Sequence, residues 1–440
     1  MAVAVPSTSA TAPSDDESLL SSGSGGRRTA WGLTGLLVVL YILNSADKAI
    51  FGLIAQPLAE ELGLSSSQLG LAGSMFFLAY TVGGFLAGPI TRMMSLRWAL
   101  VILAVAWGAV MLPLVLWASF LVLLLSRVLL GFTEGPTLAL VHAAAYSWHP
   151  PARRGLPGAF ITSGTALAKI AVVPAMAVIL ANYGWRMTIV VLTATTVVWC
   201  VPWLLTWRPG PFVSSQKGTV VAGRSDAPAV PWLRLFTSRT FVMCALVVVT
   251  SYMLVTVVLT WLPSYFETGL GYSRLQSGAL FSLPSLIGLV TVLGGSFLSD
   301  RALSRGWSVR AVRVVAPCAG VVVSGALLLS LPWLGSAPLA VAAVSLAYGF
   351  VIAIFPLMNT AVVETCPPAQ IAGTLGAFLA IQSIGGVIAP WATGLLVDAA
   401  ATKVDGYTTA FQLIGLVSAL CALAAILAVD PVRDRKRLLQ

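Results

Sequence analysis

Twelve apolar segments, each of at least 20 residues, dominate this chain and leave it few folds to choose from. They are 31–58, 66–91, 97–117, 119–147, 156–181 and 187–206, then 240–264, 275–299, 311–333, 337–362, 369–397 and 407–429. About 20 helical residues cross the hydrocarbon core of a bilayer, and in lipid a backbone must satisfy its own hydrogen bonds. The pattern therefore predicts an all-α membrane protein of twelve transmembrane helices. Charged residues make up 9% of the chain against about 25% in soluble domains, which excludes an ordinary water-soluble fold.

The longest polar interruption, Arg208 to Arg239, comes after the sixth segment and holds Pro209-Gly210-Pro211 and Pro228, so it reads as a linker. The expected organisation is a disordered cytosolic tail (1–28), a six-helix half (29–207), a cytosolic linker (208–239), a second six-helix half (240–430) and a cytosolic tail (431–440). The halves echo one another. HPPARRGLPGAF joins the fourth and fifth segments, and CPPAQIAGTLGAF joins the tenth and eleventh. Parallel repeats of this kind are a transporter device.

With the N-terminus inside, 19 Lys and Arg fall on the cytosolic side and only Arg186, Arg274 and Lys403 on the other. That bias puts both termini in the cytosol, with the inner (plasma) membrane as the expected site. It also accounts for the net charge of +10 without nucleic acid, for which no basic–aromatic motif exists. The five cysteines stand singly in apolar segments, with no metal-ligand spacing, so no cofactor or metal is expected. No nucleophile–base pair is visible either, and an enzyme is not expected. Glu364 and Asp398 sit at segment ends, where solvation is expected, and the fourteen tryptophans read mostly as interface anchors.

A few charges lie inside the apolar segments. Asp47 and Lys48 stand in the first, Arg127 and Glu134 in the fourth and Lys169 in the fifth. A charge at the bilayer centre costs roughly 2.5–3.5 kcal/mol on insertion scales, so an intramembrane ionisable residue is a functional-site hypothesis. Counting along the helices puts Asp47, Glu134 and Lys169 near the midplane, with Arg127 roughly 9 Å nearer the outside. Arg127 and Glu134 are seven residues apart and share a helix face; Asp47 and Lys48 are adjacent and diverge by about 100°. The bland alternative is a structural ion pair, Asp47 with Arg127 for example. Three buried cations against two acids favour an anionic cargo. Tyr80, Asn359 and Gln382 are expected at cavity depth, and His142, two turns beyond Glu134, in packing or at a gate.

From the second to the third segment the chain reads Gly88-Pro-Ile-Thr-Arg92-Met-Met-Ser-Leu-Arg97; the second half has Gly295-Ser-Phe-Leu-Ser-Asp300-Arg301. Over nearly its whole length past residue 28 the chain resembles a major facilitator superfamily transporter. These two stretches correspond to that superfamily's cytoplasmic gate motif, with Arg92 where the family has an acid. Within the superfamily it is similar to the anion:cation symporters, through NSADKAIFGLIAQPLAEELGLSSSQLG, SMFFLAYTVGG, SRVLLGFTEGP and WLPSYF.

The resemblance implies a proton-coupled symporter that takes up a small organic anion by alternating access, with H+ as coupling ion. Asp47 and Glu134 would exchange protons, and Arg127 would engage the anion. Lys48, in place of the family's arginine, keeps the charge without the planar fork. Lys169 is read as a second cationic contact on its depth alone. A monomer in the bilayer is expected. The rival readings are a proton-coupled drug or metabolite exporter and a non-transporting membrane sensor of the same fold. The fifth segment lacks the exporters' Gly-Pro-x-x-Gly-Gly element, and the longest interior loop is too short for an output domain. A short aliphatic or aromatic acid is favoured over a sugar acid.

Overall fold

The computed structural model describes residues 24–150, 153–212, 230–367 and 370–438. Among them the chain is a bundle of twelve membrane-spanning helices, with short helices in the linker and at the C-terminal end. The first half holds α1 (Ser24–Leu62), α2 (Ser66–Gly84 continuing as Ala87–Met93 after a 49° bend), α3 (Leu96–Leu116) and α4 (Phe120–Tyr146). A continuous stretch, Gly155–Thr206, is two spans rather than one. Gly184 breaks it with φ 80 and ψ 173, a backbone that only glycine adopts without strain, so α5 (155–183) and α6 (185–206) turn back on each other. The second half holds α7 (Arg239–Gly269), α8 (Arg274–Ser304), α9 (Ala311–Leu329), α10 (Ala337–Val363), α11 (Gly373–Ala399) and α12 (Lys403–Ala428), then α13 (Pro431–Leu438). The twelve expected spans are therefore all present.

Two boundaries differ from the sequence reading. α1 begins at Ser24, so residues 24–28, expected as disordered tail, are its first residues. An existing helix extends at little cost, and Arg27 and Arg28 are good helix formers. Residues 1–23 of that expected tail lie outside the described residues, as do 213–229 of the linker. The linker is ordered from Val230 onward: Trp232–Phe236 is helical, and Gln370 pins Val230 through its own amide, accepting from the backbone N–H at 3.0 Å and donating to the carbonyl at 2.8 Å.

Burial ranks the helices. The apolar window of α1 is 72% buried and that of α8 only 22%, so α1 runs through the centre and α8 along the lipid. α1 packs against α5, α6 and α7, while α2 joins α4 in its own half to α11 in the other. Several tryptophans are not the anchors expected. Trp107, Trp203 and Trp261 are fully buried, and the last two donate their indole N–H to the carbonyls of Arg97 and Pro390. A partner of this kind offsets the cost of burying an indole N–H, while the Trp107 N–H is buried without one.

The halves meet at the end of the bundle opposite the termini, along a seam that the sequence repeats. Gly63-x-Ser65-x-x-Gln68-x-Gly70 opens α2, and Gly271-x-Ser273-x-x-Gln276-x-Gly278 opens α8. Each serine caps its helix in a reciprocal capping box with the glutamine three residues on. Each closing glycine then faces the other half with no room for a side chain. A Cβ on Gly70 would stand 2.3 Å from the Pro390 carbonyl, and one on Gly278 would stand 2.3 Å from the Ala177 Cβ.

Polar bonds reinforce this seam. Asp398 at the end of α11 accepts the Ser66 and Ser67 backbone N–H groups at 2.8 and 2.7 Å, so it caps α2 from the opposite half. Arg274 reaches Glu60 at 2.5 Å across the same gap and Glu267 at 2.8 Å within its own half. At the terminus-bearing end, no hydrogen bond or ion pair among the described residues joins one half to the other.

Candidate functional site

Four of the five intramembrane charges, Asp47, Lys48, Arg127 and Glu134, lie where α1, α2 and α4 cross. Gly131 and Gly135 bring α4 onto α2: a Cβ at either would stand 2.3 Å from the carbonyl of Phe76 or Tyr80, respectively. Pro136 comes at once after Gly135, and the first helical stretch of α4 ends at Glu134. The Glu-Gly-Pro element thus places a carboxylate at a helix break against Tyr80.

Glu134 is fully buried, and neither of its oxygens accepts a hydrogen bond. Its one ion-pair partner among the described residues is Lys48, whose Nζ lies 3.5 Å from Oε2. Lys48 also donates to Asn44 Oδ1 at 2.8 Å and stands 4.5 Å from the ring centre of Tyr80 and 5.9 Å from that of Tyr41. The ammonium therefore has one strong hydrogen bond, one loose ion pair and an aromatic lining. Such an arrangement holds a cation in place while leaving it free to take another partner.

Arg127 is 2% exposed. Its guanidinium carbon lies 4.1 Å from the ring centre of Phe51 on α1 and 4.3 Å from that of Phe76 on α2. Nε and Nη1 are buried without a hydrogen-bond partner. Burying a guanidinium with open donors is expensive unless an acceptor arrives. The structural pair between Asp47 and Arg127 does not form: among the described residues Asp47, half-buried, makes no ion pair, and the pair that joins α1 to α4 is Lys48 with Glu134. The seven-residue spacing does put Arg127 and Glu134 on one buried face, two turns apart.

Lys169 is 4% exposed and sits in a π-turn, Ala168–Val172, within α5. Its Nζ donates to the Tyr348 hydroxyl of α10 at 2.7 Å and lies 5.2 Å from that ring's centre. The contact spans the two halves. Asn359 and Gln382 lie in the second half, each with a buried, unpartnered side-chain oxygen. Neither hydrogen-bonds to the charge cluster. His142 donates locally, from Nδ1–H to the Leu138 carbonyl at 2.9 Å, with Tyr146 beside it.

The gate-motif residues lie at the terminus-bearing end. Arg92, Asp300 and Arg301 are exposed and make no ion pair among the described residues; Gly88 stands in open surroundings, and a Cβ on Gly295 would touch only Ala353, at 3.8 Å. Arg97 instead donates to the Leu204 carbonyl within its own half. Among the described residues, none of these groups reaches the other half.

Two acids expected to be solvated are engaged: Asp398 in the seam, and Glu364 in an ion pair with Arg313. Tyr348, Phe51, Phe76 and Asn44 also line these contacts without having stood out in the sequence. Only Asn44 carried a signal, standing four residues before Lys48 and so on the same helix face.

Comparison with known proteins adds three findings. Residues 37–390 match the Major Facilitator Superfamily profile. The chain is 27% identical over 408 residues to the Probable sulfoacetate transporter SauU of Cupriavidus necator, covering 90% of this chain and 92% of that one. It is 25% identical over 398 residues to the Hexuronate transporter of Bacillus subtilis, covering 89% and 92%. Among solved structures, a bacterial homolog of the human lysosomal transporter Spinster, inward-facing and occupied, superposes with a TM-score of 0.76 at 17% identity, over 90% of this chain and 96% of the other. The D-xylose-proton symporter does so with a TM-score of 0.73 at 16% identity, over 92% and 99%. These structural likenesses concern the fold alone.

Proposed function

This chain belongs to the Major Facilitator Superfamily as a multi-pass membrane transporter, and on that premise we propose that it takes up a small organic anion together with at least one proton. The observation that carries the reading is Arg127: a buried guanidinium, lined by two aromatic rings, with open donors facing no acceptor of its own. A carboxylate or sulfonate matches those donors, since a planar fork suits a two-oxygen anion. The relatives named for sulfoacetate and hexuronate carry such groups. Of the two, sulfoacetate is closer to the short aliphatic acid favoured by the sequence.

Coupling rests on the Lys48–Glu134 pair. While Glu134 is ionised, it neutralises Lys48; a proton on Glu134 releases that positive charge for an incoming anion. An anion drawn to Lys48 in turn weakens the field that keeps Glu134 ionised, and burial then favours its protonated form. Each ligand thus promotes the other, as reciprocal linkage requires. Asp47 would serve as a second proton site, on α1 beside Lys48. Lys169, tied to Tyr348 across the halves, would sense the anion and pass its arrival to the second half, where Asn359 and Gln382 offer further polar contacts.

The seam far from the termini is closed, and among the described residues no hydrogen bond or ion pair joins the halves at the terminus-bearing end. The bias of basic residues supports cytosolic termini, and on that reading the protein would be an inward-facing monomer in the inner membrane, its halves joined through the 208–239 linker. Uptake of labelled carboxylates and sulfonates into proteoliposomes, with and without a pH gradient, tests the proposal. Glu134→Gln should abolish gradient-driven accumulation and spare exchange of labelled for unlabelled substrate. Accumulation that persists in that variant overturns the coupling scheme.

A further inference from the structure

Far from the central charges, four arginines surround one small cavity at the terminus-bearing end of the second half. The cavity, about 80 Å³, is lined by Arg239, Arg310, Arg433 and Arg437, with Asp430 and Asp434 and the apolar Leu427. It lies where α7 and α9 begin and α12 gives way to α13. None of the four guanidinium groups makes an ion pair with a described residue. Arg310 has Nη2 on the Ile426 carbonyl at 3.0 Å, while its Nε is buried with no partner.

The two acids are already engaged. Asp434, 7% exposed, accepts the Thr240 backbone N–H at 2.9 Å and its hydroxyl at 2.7 Å. Asp430 accepts the Arg433 N–H at 3.1 Å through Oδ1. The first contact clamps α13 against the start of α7. Arg433 and Arg437 are four residues apart, a spacing that puts like charges on one helix face and destabilises an isolated helix. The Asp434 clamp thus holds arginines together that would otherwise move apart.

We propose that this cavity binds a phosphate-type anion, supplied by the headgroup of an acidic phospholipid. Arginine forks match phosphate oxygens, and basic pockets between spans on the cytosolic face suit such headgroups. The cavity, of about 80 Å³, has room for a tetrahedral oxyanion among the four arginines. Leu427, 82% exposed at the rim, and Val432, 50% exposed on α13, present apolar surface beside it, as an amphiphile requires. A free phosphate shares the headgroup chemistry but has no use for those side chains.

The test is the thermal stability of the purified full-length protein in detergent, titrated separately with phosphatidylglycerol, phosphatidylcholine and inorganic phosphate. A ligand that binds the folded state raises the unfolding temperature in proportion to its saturation. Phosphatidylglycerol should stabilise the wild type, and phosphatidylcholine should not. In Arg239→Gln/Arg433→Gln/Arg437→Gln, which leaves Arg310 and the Asp434 clamp intact, half-stabilisation should need at least tenfold more phosphatidylglycerol. Stabilisation by inorganic phosphate as effective as by the lipid, lost in the same variant, would keep the anion site and overturn the headgroup as its source. An equal response of wild type and variant to phosphatidylglycerol overturns the site, provided both unfold at the same temperature without additive. If the triple variant is less stable on its own, Arg433→Gln alone provides the comparison.

Discussion

Replacing Asp398 by asparagine should loosen the closed seam without touching the transport site. The carboxylate holds two backbone N–H groups of α2 from across the bundle, at 2.8 and 2.7 Å. Asparagine keeps one acceptor oxygen, so one of the two bonds is lost. A hydrogen bond to a charged group contributes about 1.5–3 kcal/mol, and solvent exposure puts this one at or below the low end. The lost attraction between an anion and a helix N-terminus adds about 0.3–1 kcal/mol. Together the loss is about 1.5–2 kcal/mol, roughly a 10- to 30-fold shift toward the state with the seam apart. The five native cysteines are first replaced. Spin labels at Tyr183→Cys and Ala401→Cys, both exposed and in opposite halves, then report the separation by pulsed electron resonance. A longer-distance population should appear in Asp398→Asn and grow in Asp398→Ala, which removes both acceptors. If both variants give the parent distribution, Asp398 is not a latch and the reasoning fails.

The same geometry sets other outcomes. Gly70→Val should keep the seam apart more completely than Asp398→Asn, because its Cβ would stand 2.3 Å from a backbone carbonyl; the same spin labels measure it. Tyr348→Phe removes the hydroxyl that accepts from Lys169. If Lys169 senses the anion, apparent substrate affinity in uptake should change several-fold while Glu134-dependent coupling remains. His149, whose Nε2 lies 3.0 Å from Thr34 Oγ1, joins the loop after α4 to the start of α1. Burial, aided by the Arg154 charge, holds its imidazole below the ordinary value of about 6.5. Its contribution is therefore full above pH about 6.5 and is lost as pH falls toward the lower folded value. Thermal stability should drop on acidification through that range in the wild type, and less in His149→Gln.

The twelve spans were legible because lipid demands long apolar helices, and even the Gly184 break fell between two segments already separated by polarity. Which charges were buried could be read for the same reason. Who pairs with whom could not. Asp47 and Lys48 are neighbours in sequence, and only the angle of α1 against α4 decides that Lys48 reaches Glu134. The rings around Arg127 come from two other helices, and phenylalanine in an apolar span carries no mark of its use. Asp398 looked solvated because nothing in its own segment predicts that α2 of the other half will begin beneath it. The paired capping motifs at the starts of α2 and α8 were visible in the sequence. They need an alignment of one half on the other to be noticed, and the Pro-Pro turns drew attention elsewhere.

The rings beside Arg127 also bear on selectivity. The ring centres of Phe51 and Phe76 lie 4.1 and 4.3 Å from the guanidinium carbon, so a ligand's own ring would compete with them for stacking surface. An aromatic acid would gain nothing there from its ring. It would have to present its acid group edge-on, as an aliphatic acid does. Discrimination between cargoes at this residue would then reward the orientation of the acid group and ignore the skeleton behind it. A potent blocker would be an anion whose bulk lies in the plane of its acid group and stays clear of both phenylalanines.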